Sequence, residues 1–516
     1  LTKDYINALL NHVNPYTKTA YADENAVVLM EIVNESSVFS IDNNAAVPAR
    51  YRDELDRLFN EFLKSKYSTM EKLKDSWNLS GSGPAPGEDF NSSTVKRAVF
   101  GYDESWDKTG GCLSQGRGAD TKEFYYSLET KFFSDFSSYI KSFGTKALVT
   151  GSNHWEKWDA DLMANSKQDF IDRHTYWDHP SGGWTMQENI SFTDAPMIKS
   201  KQNSVAELAH QRVAGMPFTC SEFNSPLPNE FRAGYPVIMA SYAAFNGWDA
   251  MLQFSFSETG WKNSLSHFTD FSAWPDTLAF WYPAIKIFRD GYVKEGGEKI
   301  ITYVSPEKAL SGAKPAFTLV DNDISAPLLA NSAKTFDEGK AKRDISPVLK
   351  KDAALTSTQE LYWNFKKGIF EVAADKIQGA AGFLNSDRTF RFRNFRIQSR
   401  NVYAAIFLTS LDNKPLSESS RLLLSTAARM DNSGSRYDAA HTSVIYGGTS
   451  PILLEPVYST CTIITSKFKK AKVYTLDANN YIKGEYGDFQ RSGGNSLIIK
   501  TDENSKALGY YIELER

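Results

Sequence analysis

Five apolar runs in the first 290 residues alternate with segments of helical period. The runs cover 26–33, 146–152, 169–177, 217–223 and 249–256, and the helical stretches between them 50–64, 121–142, 203–214 and 231–246. Such alternation predicts a parallel sheet with covering helices. Most of the runs are apolar on both faces, as strands buried from two sides should be. The stretch 79–120, rich in Gly, Pro, Ser and Asp, has no period and reads as a long loop. Loops of that length at the top of a barrel usually shape a substrate cleft.

After about residue 298 the pattern changes. Short alternating runs recur at 360–364, 369–373, 389–398, 402–409, 420–428, 452–464, 471–475, 496–500 and 508–514. Turn signals such as Asp412-Asn413-Lys414 and Ser492-Gly493-Gly494-Asn495 separate them, which is the signature of a β-sandwich. The stretch 305–355 is rich in Lys, Ala and Pro and is expected to connect with little regular structure. The expected division is therefore an α/β part over 1–297, a connecting region over 298–355 and an all-β part over 356–516. No internal repeat is present.

Side chains alternate faces along a strand. Glu31, Val33 and Glu35 should share one face of the first run, Phe170, Asp172, His174 and Tyr176 one face of the third, and Phe218, Cys220, Glu222 and Asn224 one face of the fourth. If those faces point into a barrel, Glu35, His174, Tyr176 and Glu222 meet at the C-terminal mouth, where barrels place their chemistry. Two carboxylates are the minimum equipment for cleaving a glycosidic bond. Glu31, Asp172 and Cys220 lie deeper and read as structural.

Composition narrows the partner. Aromatics make up 13% of the 516 residues, with eleven Trp, which suits stacking on sugar rings. Trp155, Trp177, Trp184 and Trp261 follow expected strand ends; Trp261 is the foremost candidate to touch substrate, with Trp155 and Trp177 beside it. The net charge of −4, spread in both signs, gives no reason to expect nucleic acid or an anionic membrane, and no run is long and apolar enough to span a bilayer. Cys112, Cys220 and Cys461 form neither a disulfide framework nor a metal cluster. The acidic turns Asp321-Asn322-Asp323 and Asp502-Glu503-Asn504 read as solvated, so neither metal nor cofactor is expected. Oligomeric state is left open.

The segment Asn14-Pro15-Tyr16-Thr17, Tyr21-Ala22-Asp23 and Glu31-Ile32-Val33-Asn34-Glu35 resembles the fourth-strand region of retaining glycoside hydrolases of clan A. It is most similar to cellulase-like members of glycoside hydrolase family 5. His174-x-Tyr176 matches that family's sixth strand. Ser221-Glu222-Phe223-Asn224 with Pro228-Asn229-Glu230-Phe231-Arg232 matches the seventh-strand region of one bacterial branch, and Ala243-Ala244-Phe245-Asn246-Gly247-Trp248-Asp249 the approach to its eighth strand. Thr409-Ser410-Leu411-Asp412 and Leu454-Glu455-Pro456-Val457 resemble its C-terminal pieces.

The resemblance implies strands four to eight of a (β/α)8 barrel followed by a β-sandwich. Strands one to three would lie before Leu1, which opens in what reads as mid-helix, and an extracellular or periplasmic location is expected. It implies attack by Glu222, acid/base duty for Glu35, a hydrogen bond from Tyr176 to the nucleophile, and contacts to the sugar from Asn34 and His174. The expected partner is a β-linked glucan, mannan or related saccharide. An exo-acting β-galactosidase or β-mannosidase of the same clan is an alternative, as is a glycan-binding protein without catalysis.

Overall fold

The structure is a computed structural model that describes the chain apart from residues 44–46, 80–82, 101–114, 155–157, 187–189, 258–259, 261, 312–317, 346–351, 386–387 and 478–479. It is a mixed α/β fold with a sheet-rich C-terminal region.

Five parallel strands carry the first part: β1 (Leu29–Val33), β2 (Leu148–Ser152), β3 (Ile171–Tyr176), β4 (Phe218–Asn224) and β5 (Ala250–Gln253). β1 pairs with β2, and β4 lies between β3 and β5. Hydrogen bonds from Asp169 N to Val149 O (3.0 Å) and from Thr150 Oγ1 to Phe170 O (2.9 Å) tie the β2 side to the β3 side. The strands thus follow one another in space in sequence order. Helices α1 (Gln115–Lys141), α2 (Asp159–Asn165), α3 (Ser204–Ala209), α4 (Tyr235–Asn246) and α5 (Pro275–Phe288) cover them.

The sequence YPVIMASYAAFN makes α4 apolar nearly all round, and a helix of that kind needs burial on every side. It obtains this between β4–β5 and the C-terminal sheet: Ile238, Met239 and Tyr242 share a core with Phe218, Phe223, Trp363, Phe370, Ala381, Ala405 and Phe407. Gly234 precedes α4 with φ of 86°, and a Cβ there would come within 2.9 Å of the Ala381 and Ala405 methyls. A left-handed φ and an overpacked contact each cost an L-residue about 1–2 kcal/mol. Gly234→Ala should therefore lower stability by about 2–4 kcal/mol, read as a lower denaturation midpoint with unchanged slope.

In the C-terminal region a nine-stranded antiparallel sheet runs from Ala353–Leu355 at one edge to Ile482–Glu485 at the other. A five-stranded sheet, from Phe390–Arg391 to Phe489–Ser492, packs on one of its faces through Phe395, Ile397, Leu408, Leu424, Ile463 and Ile499. The other face packs on α4 and α5, which is why Ala404–Ser410 is buried at every position.

Several expectations fail locally. The stretch 305–355 holds only short regular pieces, but it does more than connect: β7 (Asn331–Thr335) pairs in parallel with β6 (Lys299–Tyr303), which precedes it, and Lys342–Arg343 pairs with β6. Lys334 hid β7, because a lysine in mid-strand reads as solvated. It is fully buried, with Nζ 2.6 Å from Asp159 Oδ1. Helix α1 begins inside the expected loop 79–120, α3 stops at Ala209, and the run 452–464 breaks at Pro456 into Thr449–Leu454 and Ser459–Ile464. The first of those belongs to an arm that pairs Ser443–Tyr446 with Ile190–Ser191, so the C-terminal region reaches the loop after β3.

Strict alternation also fails in β4. Asp172 pairs with Thr219, but His174 pairs with Glu222, so β4 carries one extra residue between those points. Such a bulge changes which side chains share a face. Cys220, expected beside Glu222, is instead fully buried in the core around α4, and burial pushes its thiol well above the usual range.

Candidate active site

Glu35 stands two residues beyond β1 in a left-handed conformation, φ 45°. A non-glycine residue holds this at roughly 1–3 kcal/mol unless something fixes it. Asn153, just past β2, does so. Its Oδ1 accepts the Glu35 N–H at 2.7 Å, while its Nδ2 donates to Glu31 Oε2 at 2.7 Å and to Asn34 Oδ1 at 3.1 Å. One carboxamide therefore sets three residues of the Glu31–Glu35 segment.

His174 is buried at the centre. Its Nδ1 lies 2.6 Å from Glu35 Oε1 and 3.5 Å from Glu222 Oε2, and its Nε2 lies 2.9 Å from Ser221 Oγ. Tyr176 donates its hydroxyl proton to Glu222 Oε2 at 2.5 Å. One ligating atom from each of Glu35, His174 and Glu222 falls within 4.8 Å of the others. The structure thus brings together Glu35, Glu222, His174, Tyr176 and, through Asn153, Asn34.

Electrostatics follow from this crowding. Burial pushes the Glu222 carboxyl above 4.5, helped by the charges of Glu35 and Asp172 and opposed by the Tyr176 hydrogen bond and His174. Glu31 is pushed up to about 7 by loss of solvation and by Asp172, Glu222 and Glu35, against the pull of His174. Glu31 keeps surface open along the edge strand, so the ring of carboxylates acts on it beside the loss of solvation. Burial and the Glu222 charge push the Tyr176 phenol far above its ordinary value, so it stays a donor.

Aromatic placement differs from expectation. Trp155 and Trp261 lie outside the described residues. Trp177 donates its indole N–H to Ala195 O at 2.6 Å and packs against the core below α4, so its ring is already engaged by protein. Trp184 is the open one, 56% exposed. It stacks on His267 at 6.1 Å and 10°, meets His179 edge-on at 5.4 Å, and His179 meets Tyr176 at 5.6 Å. A continuous row of rings therefore leads outward from the nucleophile's hydrogen-bond partner. Trp184 could be placed after a strand end by sequence, but not chosen over its neighbours, because His179 and His267 are 88 positions apart (267 − 179).

Among the described residues, two clusters have the donor types of a metal site. In Glu35, His174 and Glu222 both ring nitrogens are already hydrogen-bonded. In Asp194, Glu230 and His441, also within 4.8 Å, His441 Nδ1 faces Asp194 Oδ2 at 3.1 Å and Arg429 Nη1 faces Glu230 Oε1 at 3.3 Å. An imidazole and a guanidinium of the protein thus already face those carboxylates.

No protein-family model matches the sequence, and no curated protein matches it. Among solved structures, the chain is similar to an apo exo-carrageenase GH42 from Bacteroides ovatus at 12% identity and TM-score 0.28, covering 89% of this chain and 62% of that one. A β-galactosidase from the Antarctic haloarchaeon Halorubrum lacusprofundi is similar at 12% identity and TM-score 0.34, covering 87% and 76%. A cold-adapted β-galactosidase from Rahnella sp. R3 is similar at 12% identity and TM-score 0.35, covering 88% and 75%. The chain spans under two thirds of the exo-carrageenase, and likeness at these scores fixes neither reaction nor substrate.

Proposed function

We propose that this chain is a retaining β-glycoside hydrolase of clan A, with β1–β5 as strands four to eight of a (β/α)8 barrel. The observation that carries the reading is the approach of Glu35 and Glu222 oxygens to within 4.8 Å, from the end of β1 and from β4, which are not neighbours in the sheet. Retaining enzymes hold their carboxyl groups roughly 5–5.5 Å apart, whereas inverting ones need about 6.5–9.5 Å to admit a water. Strands three and one of a closed barrel would pair with the free edges of β1 and β5. Both edges carry apolar grooves, of about 380 Å³ beside Met30 and Ile32 and about 480 Å³ beside Met251 and Trp281.

The roles are those that the reaction demands and the family resemblance implies. Glu222, held by Tyr176, attacks the anomeric carbon. Glu35 protonates the departing oxygen, and then takes a proton from the water that hydrolyses the glycosyl ester. Asn34 is assigned to the sugar next to the broken bond; His174, buried with both ring nitrogens bonded to protein, acts on it through Glu35. The substrate class is a β-linked glucan, mannan or related saccharide. A panel of chromogenic aryl β-glycosides tests the reading: release from at least one sugar is expected, and inertness across the panel in a complete barrel would oppose it.

A second reading has one observation in its favour. Ser221 Oγ, His174 Nε2 and Nδ1, and Glu35 are connected like a serine nucleophile, base and acid. The Ser221 hydroxyl proton is directed at Asp172 instead, so the oxygen is not activated by the histidine. Fluorophosphonate labelling of Ser221 would support the serine reading; its absence is expected.

Two variants probe the cleft. Trp184→Ala should raise KM about tenfold with kcat within about twofold, since one stacking surface is worth roughly 1–1.5 kcal/mol. The acid limb of kcat/KM should lie above 4.5, because Glu222 must be ionised to attack and its carboxyl is raised. Tyr176→Phe removes a hydrogen bond that favours the carboxylate, so that limb should move to still higher pH. A limb at or below 4.5 in both proteins would contradict the assignment.

A further inference from the structure

Asp172, Ser221, His174 and Glu35 form one continuous hydrogen-bonded line. Asp172 Oδ1 accepts from Thr219 Oγ1 at 2.5 Å and from the Ser221 N–H at 3.0 Å, and its Oδ2 accepts the Ser221 hydroxyl proton. Three donors converging on one carboxyl mark it as an acceptor throughout. A serine hydroxyl has a single proton. With that proton committed to Asp172, Ser221 Oγ can only accept from His174 Nε2, 2.9 Å away. The proton therefore sits on Nε2, and the tautomer of the histidine is fixed from behind.

The consequence appears on the other side of the ring. In the neutral ring Nδ1 then presents a lone pair to Glu35 Oε1 at 2.6 Å. Two lone pairs cannot meet at that distance without a proton between them. We propose that Asp172 and Ser221 are positioning residues that oblige Glu35 and His174 Nδ1 to share one proton, and that this shared proton is the one delivered to the leaving oxygen. When Glu35 gives it up, the new carboxylate and the Nδ1 lone pair repel, so the 2.6 Å contact opens until a proton returns. The carboxylate regains a proton from the attacking water, and the pair returns to its starting state with charge and protons balanced. The charged or titratable groups facing the pair are Glu31 on β1, Glu222 on β4, and Asp172 and Tyr176 on β3.

The bulge in β4 makes this possible, since it brings Ser221 to His174 and Asp172 while Cys220 turns into the core. The inference rests on the glycosidase reading for its kinetic arm only.

The test uses histidine-labelled ¹⁵N NMR and kinetics on Asp172→Asn, with Ser221→Ala and Ser221→Thr alongside. An asparagine amide can donate to Ser221, freeing the hydroxyl proton to turn toward Nε2 and inverting the tautomer. In the parent protein His174 Nε2 should be protonated. In Asp172→Asn Nε2 should lose its proton and Nδ1 gain one. Turnover of substrates with poor leaving groups should fall about 10²-fold, while activated aryl glycosides change by less than about fivefold. Ser221→Ala should show the same leaving-group selectivity and Ser221→Thr should restore the parent profile, which keeps the test decisive should Asp172→Asn not fold. A neutral parent ring protonated on Nδ1 alone, or equal losses on both substrate types, would overturn the inference. Inactivity of the parent toward every glycoside would count against the glycosidase reading, while the NMR still decides the tautomer.

Discussion

Glu222→Ala should abolish turnover, with a loss on the order of 10⁵-fold or more, because the step it removes is formation of the covalent bond itself. The alanine leaves a cavity where the carboxylate stood, with Tyr176 and His174 still in place. A small anion can enter that space. Azide should attack the anomeric carbon directly and restore activity as a glycosyl azide of inverted configuration. Rescue would place the nucleophile at residue 222, because the product records the face from which attack came. Loss without rescue, together with an unchanged fold by circular dichroism, would remove Glu222 from that role.

Glu35→Ala should behave differently. Its first task is to protonate a departing oxygen, and a dinitrophenolate needs no proton to depart. Turnover of such aryl glycosides should fall little in the first step, whereas unactivated glycosides should lose about 10³–10⁴-fold. Azide should again help, now giving a product of retained configuration, because it intercepts the glycosyl ester on Glu222. The pH profile should lose its basic limb, since that limb reports the acid. Equal losses on both substrate types would show that Glu35 supports the fold, through Asn153 and the left-handed turn, and is not the acid.

Strand ends were legible because a doubly buried strand leaves an unbroken apolar run, and the polar residue that closes it stands out. Glu35, His174, Tyr176 and Glu222 were found this way, and they meet in the structure. What stayed hidden depends on pairing between distant segments. The extra residue in β4 cannot be seen in one strand alone, yet it decides that Ser221 and not Cys220 faces His174. Asn153 sits 118 residues from Glu35 and carries no motif. Lys334 disguised β7, because a buried lysine is tolerable there through a partner, Asp159, that lies far off in sequence. Trp177 reads as a stacking residue from its position alone, but in the structure its indole N–H is bonded to Ala195 O. The arm that pairs Ser443–Tyr446 with Ile190–Ser191 crosses between regions that read as separate.

The central claim is that Glu222 forms a covalent bond to the sugar while Glu35 serves it as acid and base. A 2-deoxy-2-fluoro glycoside with a good leaving group slows the second step more than the first and traps the intermediate. Mass spectrometry of the inactivated protein should show one added fluoroglycosyl group, on the peptide that contains Glu222, and the mass should be lost on reactivation by an acceptor sugar. Turnover of an unfluorinated substrate with no such adduct, and with a first-formed product of inverted configuration, would contradict the account.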